Sequence, residues 1–483
     1  MKTVIVGNGI LALTSAFRLI RRGNPADEIT IIGKPAREGS ATLAAAAMLN
    51  SFAEIEKGGL ESDLDLYRFE LSHTATRMWK NFEEEIIEAA GDTLPDGCSK
   101  CLGCSGGGCF ESGTYVVNNT AADDLDDENF DAIVQALDDF NEQYDVINPK
   151  DIPGYLPEQR YRATRGIYIH NEGWFNPRLM IEKLDNCLRQ YPNVHFVEDN
   201  AVSMKEENGK VISVQLENSE IIEGDRFLLA TGATVSKILD ASNFDLPVQR
   251  VFYGVGVSIE LKSTDNPLEK CIRTPNRGLA CGLYAVPYFQ GPNVANDHIL
   301  VGASNFITPY PYDYGRLTSV EGLIRGAMEQ VNRNFYRADL VRVNVGWRPT
   351  SQDSYPMIGK TSLANLVIAT ATKRDGFHMS PLISENVAAL LNDEEIDERF
   401  NVFAPERKPI MELTREQAIE KALRHQLNAA YQHGFVPSKN RMVDQVRQKM
   451  KDDLEALHDQ VGAVDWGIPP EMLDMYRYGH AKI

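Results

Sequence analysis

The sequence predicts an α/β protein of two domains, a parallel-sheet unit and an antiparallel-sheet unit, followed by a helical C-terminal extension. Three observations carry this. Residues 3–6 are an apolar run of strand formers that meets a Gly7-Asn8-Gly9 turn and then a helix-period segment. Residues 247–345 read as strands, with one helical stretch near 319–335. Beyond residue 396 the chain is charged, with apolar residues recurring at spacings of three and four.

The opening unit has the form of a dinucleotide-binding turn. Gly7 permits the tight turn, and Gly9 lets the backbone approach a pyrophosphate at a helix N-terminus. Ile10 opens that helix, and Ala12 is small enough to bring helix and strand together. Arg21 and Arg22 suit the negative end of the helix, and Gly23 suits its C-terminal stop. A bare G-x-G-x-x-A is also compatible with an ordinary strand–turn–helix. The strand before it and the helix after it favour a Rossmann-like site.

Composition narrows the rest. A chain of 483 residues, 43% hydrophobic and 24% charged, can bury a large core. The net charge of −20 argues against nucleic acid or an anionic membrane as partner. No apolar run approaches membrane-spanning length, and the first strand leaves no room for a signal peptide, so a cytoplasmic location is expected. Four of the seven cysteines cluster, which suits a reducing compartment with one local site.

Residues 28–32 read as the second parallel strand. An acid usually follows such a strand to bond the adenosine ribose, but Gly33 and Lys34 stand there. Lys34 is therefore a candidate cofactor contact, and with Arg37 it also permits a 2′-phosphate site for NADP. Residues 39–49 follow, rich in small side chains and hydroxyls. Ser40, Thr42 and Ala47 could let backbone N–H groups meet phosphates and a flat ring. The segment reads equally as an alanine-rich helix.

This fingerprint and the small-residue segment ending in Met48-Leu49 resemble the D-amino-acid oxidase superfamily, especially its glycine and sarcosine oxidase branch. The strongest match is Val345-Gly-Trp-Arg-Pro-Thr-Ser-Gln-Asp-Ser-Tyr-Pro-Met-Ile-Gly359, the family's G-x-R-P followed by P-x-I-G. The resemblance implies an FAD-binding Rossmann-like domain with an antiparallel-sheet substrate domain. It implies that Val202 abuts the adenine and that Thr231 and Gly232, in Ala230-Thr-Gly-Ala233, pack against the cofactor. Arg374, Gly376, Phe377, His378 and Met379 then lie by the flavin, where a helix N-terminus stabilises reduced flavin. Arg348 is expected to clamp a substrate carboxylate and touch the cofactor, and Met48, Tyr284 and Tyr288 are pocket candidates. The plainer readings are a structural arginine paired with an acid such as Asp353, and core tyrosines. The sequence departs from the family at Ala371-Thr372-Lys373 and at His378-Met379-Ser380, so substrate identity does not carry over.

Cys98, Cys101, Cys104 and Cys109 have no counterpart in that pattern. Their C-x2-C-x2-C-x4-C spacing on a glycine-rich loop suits zinc, with an iron–sulfur cluster second; free thiols are the alternative. In the tail, Thr414-Arg-Glu-Gln417 has capping-box form, and the stripe through Val443, Leu454 and Val461 packs on its own chain or on a partner or second copy.

The expected boundaries are residues 1–90, 150–245 and 340–396 for the FAD-binding domain and 91–113 for the cysteine insertion. Residues 114–149 and 246–339 form the substrate domain, and 397–483 the extension. The expected function is FAD-dependent oxidation of the C–N bond of an amino acid or amine. The competing one is an electron-transfer or scaffold subunit docking through its cysteines and tail.

Overall fold

The computed structural model describes residues 1–23, 26–91, 109–277, 282–291, 295–432, 434–439 and 441–482. Lys2–Val6 lies inside a six-stranded sheet, between Arg226–Leu229 and Glu28–Ile32. All three run parallel, with Val6 level with both Leu229 and Ile32, so their C-terminal loops emerge together. Leu366–Thr370 and Val194–Val197 extend the sheet in parallel on either side, and Met357–Lys360 closes one edge antiparallel.

Both faces of the sheet are covered, as its continuous apolar strands require. Ile5 and Ile31 pack with the helices Ile10–Arg22, Asp63–Ala90, Pro177–Arg189 and Ser380–Leu391 through residues such as Phe17, Trp79, Leu184 and Ile383. Val4, Val6 and Ile32 face the other way, onto Met204, Val214 and Leu216 of a three-stranded sheet and Ile238 of the helix Val235–Ser242. Alternation over residues 209–216 and 221–229 predicts a single hairpin, and that small sheet corrects it. Lys210–Leu216 pairs with Ile221–Glu223, but Arg226–Leu229 leaves the hairpin to join the parallel sheet, where both of its faces are buried.

The second sheet has nine strands, and Cys271–Arg273 pairs parallel with Glu111–Asn119, so it is mixed where a purely antiparallel sheet was expected. Ala163–Trp174 and Asp339–Ser351 run in it too, although the sequence boundaries group them with the first domain. Both strands are long, at 12 and 13 residues, and span from one unit to the other. Asp339–Ser351 lies along Val251–Lys262, which carries Gly346, Trp347 and Arg348 to the junction of the two units.

The extension folds as Arg415–Gln432 and Met442–Val461, with a reciprocal Thr414–Gln417 capping box. Leu423, Leu427, Leu454 and Leu457 form one cluster with Phe252 and Met472, so the apolar stripe packs within the chain. Among the described residues no helix is long and apolar enough to cross a membrane.

Candidate functional site

A cavity of about 650 Å³ opens where the central strands end. Its floor is the turn after Lys2–Val6. Gly7 has φ of +120°, and a Cβ there would lie 2.4 Å from the Ala230 carbonyl oxygen, so no larger residue fits. Gly9 caps the first helix with no side-chain hydrogen bond, which leaves the N–H groups at Ile10 and Leu11 to the cavity. Across it, the Thr231 hydroxyl is buried without a partner among the described residues, and a Cβ on Gly232 would meet nothing within 4 Å. Helix-terminal donors, an orphan hydroxyl and an open glycine wall fit a dinucleotide's phosphates.

Ala12 and Met379 line none of this space. Ala12, at 0% exposure, lets the first helix sit on its sheet, and Met379 is core. Lys34 and Val202 do line it, Val202 being 43% exposed. The two cations of the NADP alternative are both paired: Lys34 with Glu217 at 2.5 Å, and Arg37 donates to both Asp185 oxygens at 2.8 and 2.6 Å.

The small-residue segment is not a long helix. Ala41–Ala44 makes one turn capped by the Ser40 hydroxyl, which accepts from Leu43 N–H, and the chain then leaves the helix, extended at Ala45 and left-handed at Ala47 (φ +46°), to reach Met48. Close packing explains the small side chains. A Cβ on Gly39 would lie 2.2 Å from the Trp347 ring, and one on Gly346 would lie 2.7 Å from Ala44 Cβ. Ser40, Thr42, Ala47 and Met48 all line the cavity, and the Cys271 thiol sits 3.8 Å from the Met48 sulfur.

Arg348 lies over Gly256, where a Cβ would fall 2.4 Å from the guanidinium carbon. Its Nη1 donates to Ser304 O at 3.0 Å and Asn305 Oδ1 at 3.2 Å, and among the described residues it pairs with no carboxylate. Asp353, the acid that a structural arginine would have taken, is held by Arg407. Tyr284 joins Arg348 on the wall, its hydroxyl over Gly302. Tyr288 does not line the cavity. It follows the strand Tyr284–Pro287, is 1% exposed, and lies in the core with its phenol pushed up to about 12 by burial.

The loop before Ser380–Leu391 forms another wall. Gly376, Phe377 and His378 line it, with Phe377 stacked on Trp79 at 4.8 Å. His378 accepts or donates at Thr76 Oγ1, 2.7 Å away, and burial lowers its imidazole to about 4, so it is neutral. Arg374 reaches Glu54 at 3.4 Å.

Sequence reasoning missed a polar network beside this wall. Arg273, at 1% exposure, donates to Glu54 at 2.7 Å and to Asn50 Oδ1 at 3.1 Å. Asn50 in turn donates to Glu172 at 3.0 Å, and burial raises the Glu172 carboxyl to about 8. These residues come from distant segments and share no spacing, so no local signal marks them.

Of the four cysteines expected to hold a metal, Cys98, Cys101 and Cys104 lie outside the described residues. Cys109 is buried; its N–H donates to Glu83 at 2.6 Å and Lys183 Nζ donates to its sulfur at 3.2 Å. Among the described residues no group of side chains is arranged to hold a metal ion.

Residues 2–390 match the family described as FAD dependent oxidoreductase. A glycine oxidase of Pseudomonas aeruginosa is 24% identical over 410 residues, covering 82% of this chain and 95% of that protein. A bifunctional ThiO/ThiG protein of Trichormus variabilis is 25% identical over 202 residues, covering 41% of this chain and 28% of that protein. The solved iminodiacetate oxidase of Chelativorans sp. BNC1 shares the fold with a TM-score of 0.66 at 18% identity, over 84% of this chain and 100% of that one.

Proposed function

The chain belongs to the FAD dependent oxidoreductase family, and on that premise we propose that it oxidises the C–N bond of an amino acid or related amine. One observation carries the substrate class: Arg348 faces the cavity beside Tyr284 and Met48 without a carboxylate of its own. A planar guanidinium left unpaired at a cavity wall recognises a carboxylate through two parallel donors.

When bound, FAD supplies a hydride acceptor, and the amine becomes an imine that water hydrolyses. The N–H groups at Ile10 and Leu11, with Thr231 and Gly232, would hold its phosphates, and the turn at Gly376 and Phe377 would face its ring. Arg348 then orients the substrate, and the apolar walls at Met48 and Tyr284 keep water from its α-carbon. Neutral His378, held by Thr76, adds no charge to that wall.

The docking-subunit reading is not favoured, because the tail packs on its own chain and the cavity is built for a small molecule. A zinc ion on Cys98, Cys101, Cys104 and Cys109 rests on spacing alone; metal analysis of protein purified without chelator checks it. The deciding experiment is anaerobic titration of the purified yellow protein with amino acids and simple amines. Bleaching of the flavin band by an amino acid supports the proposal; no bleaching by any of them removes it.

A further inference from the structure

A second cavity, of about 250 Å³, adjoins the first across a wall of Asn50, Glu54, Lys373, Arg374 and Asp375. Its far side is built by the C-terminal extension, through residues 410–413, Lys421, His425 and Glu471. The family match ends at residue 390, so this side belongs to the part of the chain outside it.

The cavity's cations are already answered. Arg68 pairs with Asp375 at 3.0 Å, Lys373 with Glu471 at 2.6 Å and Lys421 with Glu56 at 3.3 Å, while Arg374 meets Glu54. Asp65 and Glu412 line the same space with no ion-pair partner among the described residues. Asp65 accepts from the Tyr355 hydroxyl at 3.0 Å, and Glu412 stands exposed at the rim. The charge in excess is therefore negative.

Two buried acceptors point the same way. His425 is 6% exposed, and its Nδ1 has no hydrogen-bond partner among the described residues. Its Nε2 faces Glu56 at 3.7 Å, and burial lowers its imidazole below the usual value, which favours the neutral ring whose other nitrogen accepts. Glu471 Oε2 is likewise buried and has no partner among the described residues. A group that brings several N–H donors and a positive charge satisfies all of these at once.

We propose that this cavity is a subsite for an aliphatic ammonium, the distal amine of a substrate whose C–N bond lies in the adjoining cavity. The proposal rests on the amine oxidation argued above and narrows its substrate to diamino compounds. Because Arg348 offers a carboxylate clamp, the probes are both enantiomers of lysine, set against norleucine, which lacks the distal ammonium.

The test uses the holoenzyme and an Asp65→Asn/Glu412→Gln variant checked for FAD content. Lysine should reduce the flavin with kcat/KM at least tenfold above norleucine, the difference lying in KM. In the variant that ratio should fall about tenfold. Should the double variant bind no FAD, Glu412→Gln at the exposed rim carries the comparison, with a smaller fall expected.

Equal ratios in wild type and variant overturn the subsite and leave amine oxidation standing. A thermal-shift arm separates the reverse case. If 1,5-diaminopentane stabilises the wild type saturably, pentylamine does not, and the variant loses the response, then a cation site exists even if no amine reduces the flavin. Where no amine reduces the flavin, the absence of any difference between the two amines in that arm likewise ends the proposal.

Discussion

Arg407 donates to both carboxylate oxygens of Asp353, at 3.0 and 2.9 Å, and this pairing leaves Arg348 to the cavity. The two arginines lie 59 positions apart, so the sequence around Arg348 could not show which of them answers the acid. Because Asp353 is 2% exposed, its partner is a structural necessity. Arg348 carries no such duty.

The first prediction follows from that division. Arg348→Lys keeps a positive charge but loses the planar fork, and should weaken amino-acid binding by roughly 2–4 kcal/mol. FAD content and thermal midpoint should stay near wild type. Arg407→Lys should do the opposite, lowering the midpoint with less effect on affinity. Anaerobic titration and a melting curve on each variant check both halves.

Gly7→Ala tests the floor of the cavity. The new Cβ would meet the Ala230 carbonyl at 2.4 Å on a backbone of φ +120°, and neither neighbour is a flexible side chain. Strain and overpacking together should cost roughly 2–5 kcal/mol. Purified variant should carry substoichiometric FAD, measured as flavin absorbance per chain.

What the sequence shows depends on how local the cause is. The turn at Gly7 and Gly9 and the Thr414–Gln417 box follow from neighbours within a few residues, and the structure has them where spacing puts them. The segment at 40–48 does not, because its small residues are dictated by Gly346 passing over Ala41 and Ala44 and by Trp347 over Gly39. Tyr284 and Tyr288 share a parity that implies one face, but the strand ends at Pro287 and the alternation stops with it. Glu172, Asn50 and Arg273 come together only in the fold.

The third prediction concerns pH. Burial holds Glu172 protonated up to about 8, against an ordinary 4.5, so across that window the folded state keeps a proton that the unfolded chain releases. Stability is then present below 4.5 and is lost as pH rises towards 8. His378, lowered to about 4 from 6.5, acts with the opposite sign between those values, so the clean window for Glu172 is pH 6.5 to 8. Glu172→Gln should flatten the fall in thermal midpoint across that window. An unchanged slope would mean that Glu172 is ionised in the fold.

The last prediction concerns the Lys373–Glu471 pair, which ties the extension to the loop at the cavity wall. Their side chains are 11% and 14% exposed and meet at 2.6 Å. An exposed pair of this kind contributes about 0–1 kcal/mol, but removing one partner of a buried pair strands the other charge at roughly 3–5 kcal/mol. Lys373 also sits at φ +52°, two residues from Ala371 at +58°, and its N–H donates to Pro349 O at 2.8 Å. The loop is thus fixed from both ends, by the strand that carries Arg348 and by the extension. Glu471→Leu alone should lower stability by the larger figure and loosen Arg374, the next residue, raising KM for substrate. Lys373→Met with Glu471→Leu should recover most of the stability, because no charge is left stranded. Denaturation of the two single variants and the double variant gives the coupling energy directly. A value below about 1 kcal/mol would place the pair with the exposed ones and leave the loop held by Pro349 and by the Asp375 and Arg374 ion pairs.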